Sequence, residues 1–396
     1  MTNAKQRIAS IDILRALTMV LMIFVNDLWS LKDIPGWLEH VRADEDGMGL
    51  ADTVFPAFLF IVGLSIPLAV NTRYSKGDST GQVVMHILMR GLALLIIGVF
   101  LVNGEELNAA GTGMRRVVWN VICWTCFIIL WNAYSKTANK TIIYIAKAVA
   151  IAVLIWLAII FRGGEDGHLE RFATHWWGIL GLIGWAYLWS ALVYVLSGGK
   201  LLVNIIAWAC FLLLCIANHA HWLPHQPVLR TVISPIGEGS MTALVTGGVV
   251  ISQIFRYYLQ KGSSAKMIGV LLGIAVVILL GGFALRPLEG ISKIRATPSW
   301  VLICSAITII VFCIVYWIAD IKGKAGWFKL IKPAGTDTLL CYLLPYYAYA
   351  VVVLLSLSLP DALLTGVVGL IKSLCFSLLM VIIAGWLGKL HIRLKL

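Results

Sequence analysis

The chain has 396 residues, of which 60% are hydrophobic and 13% charged, with a mean hydropathy of +0.91. So few charges cannot solvate a globular surface, which excludes an ordinary soluble protein and predicts an all-α polytopic helical bundle in a membrane. The net charge of +12 does not point to nucleic acid, because most lysines and arginines lie in short loops between apolar segments, where membrane topology accounts for them.

Apolar stretches long enough to span a bilayer fall near 11–31, 51–71, 82–103, 115–134, 141–161, 176–197, 201–218, 238–259, 267–285, 299–319, 337–357 and 365–387. About twelve helices, within a range of ten to twelve, are therefore expected, forming a single transmembrane domain over residues 1–396. The first span follows no small-residue cleavage site and reads as a retained helix. Acidic loops (Asp33 to Asp46, Glu105 and Glu106, Glu165, Asp166 and Glu170) alternate with basic ones (Arg73 and Lys76, Lys136 and Lys140, Lys200, Lys261 and Lys266, Lys322 to Lys332). The positive-inside bias then puts both termini, with Lys5, Arg7, Lys389, Arg393 and Lys395, in the cytoplasm and the first loop outside. Trp29, Trp37, Trp176, Trp177, Trp222 and Trp300 fall near the expected outward interface, as an aromatic belt would.

The first helix opens with Asp12 and Arg15, three residues apart, which reads either as an ion pair securing that end or as the start of a polyanion site. Asn26 lies roughly 22 Å along the same helix, in the outward third of the membrane. It reads as an amide donor for chemistry or as a hydrogen bond to a neighbouring helix. His40 follows in a carboxylate-rich outward loop, either solvated or a general base. Asp52 begins the second helix, where it can cap free N–H groups or support a protonated imidazole. The three together, on one membrane face, point to acid–base chemistry.

Arg90 on the third helix and Arg256 on the eighth join Arg15 as candidates for a polyanionic ligand entering from the cytoplasm, with snorkelling as the competing account. Cys123 and Cys126 form a C-x-x-C in apolar surroundings that offer nothing to lower a thiol pKa, which favours packing over redox chemistry. The histidines of Asn218-His219-Ala220-His221-Trp222-Leu223-Pro224-His225 match no strong zinc spacing, and no metal is expected. Glu238, before the eighth helix, and Lys293 with Arg295, before the tenth, are outward charges that either anchor the interface or line an external substrate site. Gly-rich phosphate loops, G-x-S-x-G and H-E-x-x-H are all missing from the sequence.

At these residues the sequence resembles the transmembrane acyltransferase family that includes heparan-alpha-glucosaminide N-acetyltransferase, and most closely its bacterial relatives of the NagX type. The pieces that carry the resemblance are Ser10 to Arg15 with Ile23-Phe24-Val25-Asn26; His40 followed by Ala51-Asp52-Thr53-Val54-Phe55-Pro56; Arg90; Glu238-Gly239; Lys293 with Ser299; and Ala334 to Leu339. The interval from His40 to Asp52 is longer here than in the lysosomal enzyme. The resemblance implies an acetyl-CoA-dependent transfer from the cytoplasmic side to the amine of glucosamine or a related amino sugar at the outward face. His40, Asp52 and Asn26 would be catalytic, Arg15, Arg90 and Arg256 would hold the CoA phosphates, and Glu238 and Lys293 would bind the sugar. The implied partners are acetyl-CoA, the amino sugar and the lipid bilayer of a bacterial cytoplasmic membrane, with a homodimer left open and no nucleic acid. An amino-sugar transporter and an envelope-polysaccharide O-acyltransferase are the rival readings.

Overall fold

The computed structural model describes residues 8–135, 137–165, 167–223 and 234–396. Lys5, Arg7, Lys136, Asp166, Pro224 and His225 lie outside the described residues. Each of the twelve expected spans is a helix: α1 Ala9–Asp27, α2 Leu50–Tyr74, α3 Thr80–Glu105, α4 Arg116–Trp131, α5 Lys140–Ile160, α6 Ile179–Leu196, α7 Leu201–His219, α8 Ser240–Gln260, α9 Ser264–Ala284, α10 Pro298–Tyr316, α11 Thr338–Leu354 and α12 Gly366–Lys389. Among the described residues nine of them are long and apolar enough to cross a membrane. The chain is thus an all-α polytopic membrane bundle.

The three remaining helices depart for readable reasons. At 16 and 17 residues, α4 and α11 reach only about 24–26 Å at 1.5 Å per residue. Helix α8 is long enough but carries Thr242, Thr246, Ser252 and Gln253. Each spends a hydrogen bond internally: Thr242 Oγ1 donates to the Ile236 carbonyl, Thr246 pairs with Ser190, Ser252 Oγ donates to the Leu64 carbonyl and Gln253 Nε2 to the Gly199 carbonyl. A helix satisfied in this way belongs inside the bundle, where interhelical hydrogen bonds replace lipid contact. Its closest neighbour is α2, and a Cβ at Gly63 would collide with the Val245 carbonyl oxygen, as one at Gly248 would with that of Phe60. Small residues let these two backbones meet.

Burial separates inner from outer helices. In α10 with its π-helical extension Trp317–Ile321, 67% of the most apolar stretch is buried, against 11% in α7. Helix α1 belongs to the inner set and is tied down at both ends. Asp320 accepts from the Ala9 and Ser10 amides, both at 3.0 Å, which satisfies two of the free N–H groups of its first turn. Arg15 donates to the Gly335 carbonyl at 3.0 Å and to Ser65 Oγ at 2.6 Å. At the other end Asp27 meets α11 and α12. Successive helices alternate in direction, so the loops after α1, α7, α9 and α11 share one face. Contacts between them bear this out: Arg286 to Asp46, His219 to the Arg295 carbonyl, and Lys32 to Asp361.

Candidate active site

The loop between α1 and α2 is built to hold one histidine. Its short 3-10 turn Gly36–Leu38 buries Leu38, which is 6% exposed, just ahead of His40. Gly49 lets the loop close, because a Cβ there would run into the backbone oxygen of Glu39. The far side of the loop docks on the α9–α10 connection: Gly47 N donates to the Ile291 carbonyl, Ile291 N to Asp46 Oδ1 at 2.7 Å, and Arg286 to Asp46 Oδ2 at 2.9 Å. The Ile291 amide and Arg286 hold the Asp46 carboxyl below its ordinary range.

Asp52 is 1% exposed, and its two oxygens have separate duties. Oδ2 accepts from the amides of Gly49 and Val41, both at 3.0 Å, capping α2 and pinning the loop. Oδ1 lies 2.6 Å from His40 Nδ1. One carboxylate thus both caps the helix and holds the imidazole ring in place. A carboxylate oxygen can only accept, so Nδ1 carries a proton, and in the neutral ring the lone pair belongs to Nε2. Trp300 Nε1 donates to the Asp52 carbonyl at 3.0 Å, and Trp300 is fully buried. This corrects its expected place in the aromatic belt: the indole N–H is used on the backbone that carries the carboxylate, so the ring packs inward. Trp29, Trp37, Trp177 and Trp222 are exposed.

Lys293 Nζ stands 3.3 and 3.4 Å from the two ring nitrogens of His40. Burial pushes its pKa below the ordinary lysine value, partly offset by Asp52. His40 opens onto a cavity of about 600 Å³. One side is Glu39, His40 and Ala51; α1 contributes Met22, Ile23, Val25 and Asn26; α11 contributes Tyr342, Pro345, Tyr346 and Tyr349. The structure thus brings His40, Asp52 and Lys293 into contact and puts Asn26 on the same cavity. Chemically this is an imidazole fixed by a buried carboxylate, flanked by an amine and lining a half-enclosed space.

The other expected residues lie apart from this group. Glu238 is exposed, accepts from Asn218 Nδ2 at 3.1 Å, and is not among the lining residues. Arg15 makes the contacts given above and pairs with Asp12 at 3.4 Å. Arg90 lies over the Tyr187 ring at 4.9 Å from its centre, with its Nε buried and unbonded. Arg256 is half-buried. His219 spends its two nitrogens on the carbonyls of Cys215 and Arg295, and Cys123 and Cys126 are buried free thiols.

Sequence reasoning missed Asp27. Its carboxylate, 3% exposed, accepts from Lys372 Nζ at 2.7 Å, Ser373 Oγ at 2.6 Å and Tyr349 OH at 2.9 Å. The signal was present: Asp27 and Lys372 are charges inside apolar segments, which by default mark a site.

A family model described as a domain of unknown function, DUF5009, matches residues 7–222, more than half of the chain. The chain belongs to the DUF5009 family. This DUF5009 member is also 34% identical over 105 residues to heparan-alpha-glucosaminide N-acetyltransferase of Mus musculus, and 34% identical over 101 residues to that of Homo sapiens. These matches cover 26% and 24% of the chain but only 15% and 14% of the relatives, so the chain spans a small part of the curated proteins it matches.

Proposed function

We propose that this protein is a membrane-embedded N-acetyltransferase that moves an acetyl group from acetyl-CoA on the cytoplasmic side to the amine of glucosamine or a related amino sugar at the outward face, with residues 1–396 forming one acyltransferase domain. The observation that carries the reading is the His40–Asp52 pair opening on a cavity that Asn26 also lines. The activity for which the two mammalian relatives are named agrees with it. In this reading both termini are cytoplasmic and the His40 loop is periplasmic, in a bacterial cytoplasmic membrane.

CoA is too charged to cross a bilayer, but its pantetheine arm is slim and mostly neutral. Arg15, Arg90 and Arg256 would hold the nucleotide phosphates while the arm brings the thioester up between helices. The acceptor nitrogen attacks the thioester carbon; a C–N bond forms as the C–S bond breaks. His40 Nε2 takes the amine proton, and Asp52 Oδ1 stabilises the imidazolium. Asn26 donates to the thioester oxygen as charge develops on it, and the sulfur leaves as CoA. Lys293 flanks the same imidazole on the sugar side. Turnover should rise with pH along the acid limb, because both the base and the amine must be unprotonated.

The test is to supply labelled acetyl-CoA to one face of proteoliposomes and glucosamine to the other. Labelled N-acetylglucosamine is the expected product, and it should be lost in His40→Ala while expression and CoA binding persist, since a loop residue contributes little to helix packing. Unchanged turnover in that variant sinks the assignment. Movement of unmodified glucosamine with no product would favour a transporter instead.

A further inference from the structure

The α11 wall of the cavity ends in a phenol whose proton is already committed. Tyr349 OH donates to Asp27 Oδ1 at 2.9 Å, while Lys372 and Ser373 fill Oδ2 at 2.7 and 2.6 Å. A carboxylate only accepts, and the phenol has one hydrogen, so the lone pairs of Tyr349 are what remains for the cavity it lines. The ring cannot turn away easily: it stacks on Phe376 with centres 5.5 Å apart and meets the edge of Trp29 at 6.4 Å. Asp27 is neutralised by Lys372, so this wall offers an oriented dipole rather than a net charge. It also lies on the His40 side of the bundle, since Asp27 ends α1 and Lys372 lies in the first turns of α12. Toward the opposite face the next lining residues on α11 are Tyr346 and Tyr342, whose hydroxyls pair at 3.2 Å. One hydroxyl of the Tyr342 and Tyr346 pair donates to the other, so that pair still holds an O–H to give, whereas Tyr349, its proton spent on Asp27, can only accept.

We infer that Tyr349, oriented by Asp27, is an acceptor-recognition residue that receives a hydrogen bond from a neutral hydroxyl of the sugar bound beneath His40, and that Asp27 is its positioning residue. This rests on the amino-sugar reading above and adds to it which kind of group is recognised and where. A site built to accept one hydroxyl penalises an analogue that lacks it, because the phenol oxygen is then left dry and unpaired.

The experiment uses the full-length protein in proteoliposomes with acetyl-CoA, glucosamine and the set of monodeoxy-glucosamines, measuring both turnover and binding of labelled glucosamine. Tyr349→Phe, which keeps the ring and removes one oxygen, should raise the KM for glucosamine roughly five- to tenfold, the scale of one hydrogen bond, with kcat and the KM for acetyl-CoA little changed. In the wild type one deoxy analogue should be disfavoured by a similar factor, and in Tyr349→Phe that disadvantage should vanish. Asp27→Asn should raise the glucosamine KM as well, and adding Tyr349→Phe to it should cost little more, because the first acts through the second. If Asp27→Asn does not fold, Tyr349→Phe decides alone. Product formation by the wild type with the same glucosamine KM and the same deoxy pattern in Tyr349→Phe overturns the inference and leaves the activity standing. If wild type binds glucosamine without acetylating it, the activity reading falls, and the loss of binding in Tyr349→Phe still decides the inference. A wild type that neither binds nor acetylates glucosamine ends both.

Discussion

Two buried carboxylates each stand behind a residue that lines the cavity, Asp52 behind His40 and Asp27 behind Tyr349, and they are used in opposite ways. Asp52 divides its oxygens between backbone amides of its own loop and the imidazole of His40. Asp27 gathers side chains from two distant helices and presents a phenol to the cavity. On one wall the outermost group can take up a proton; on the other it can only accept a hydrogen bond. The contrast teaches that burial of an acid does not fix its role. What matters is which partner stands between it and the open space, and whether that partner can change its protonation.

The comparison breaks most severely at Asp52. Asp52→Asn keeps shape and can still cap the helix, but its amide side no longer fixes the Nδ1–H tautomer; turnover should fall on the order of 10²- to 10⁴-fold, with the helical content unchanged by circular dichroism. Equal loss of turnover and thermal stability would instead mark Asp52 as structural only.

Gly49→Ala is the next largest. The added Cβ meets the Glu39 carbonyl oxygen, so the loop must shift and carry His40 off Oδ1. Turnover should drop by on the order of 10²-fold, with a stability cost of about 1–3 kcal/mol, the usual scale of overpacking. Wild-type activity here would mean that the 2.6 Å contact is not needed.

Lys293 sharpens the comparison because it should show a trade. Its pKa lies below the ordinary 10.5, with burial as the main cause, so its charge opposes folding at neutral pH. The penalty is fully present below the folded pKa and gone above 10.5. Lys293→Met should therefore raise the melting temperature at pH 7, with the gain shrinking toward alkaline pH, while turnover of the amino acceptor falls. A destabilised variant contradicts this.

At the opposite face, Arg15→Gln, Arg90→Gln or Arg256→Gln should raise the KM for acetyl-CoA roughly tenfold where a real phosphate contact is lost, and leave that for glucosamine unchanged. Lys at the same position should restore only part of it. Arg variants that impair the sugar alone would overturn the two-sided arrangement. The smallest effect belongs to Asp46. Its lowered pKa means that its contribution is present above 3.8 and lost only as pH falls through the folded value. Proteolysis of the loop should thus be indifferent to pH between 5 and 8 and quicken only in stronger acid.

Much of this was legible in advance where local rules suffice. Hydropathy located every one of the twelve helices, since a bilayer imposes length and composition on each span separately. His40 and Asp52 could be paired because they lie 12 residues apart. The failures share a cause. Asp27 and Lys372 are separated by 345 residues, and no local pattern reports such a partner. Trp300 sits where an interfacial belt is expected, yet its N–H is claimed by a carbonyl 248 residues away. Glu238 shares its depth with Lys293 yet pairs with Asn218 away from the cavity lining, because depth does not say which side of a bundle a residue faces.

The ties at both ends of α1 have a consequence for how the protein is made. The helix that contributes Asn26 leaves the ribosome well before its partners: the carboxylate that receives its opening amides is Asp320, and the groups that close its far end are Lys372 and Ser373. Its membrane insertion therefore leaves both ends waiting on chain that is synthesised 311 to 345 residues later. A nascent chain arrested before residue 320 would hold α1, α2 and the His40 loop in the bilayer without the contacts that set their angle. The cavity is in this sense completed only after α1 and its loop are in place, when α11 supplies its tyrosine wall and α12 the partners of Asp27.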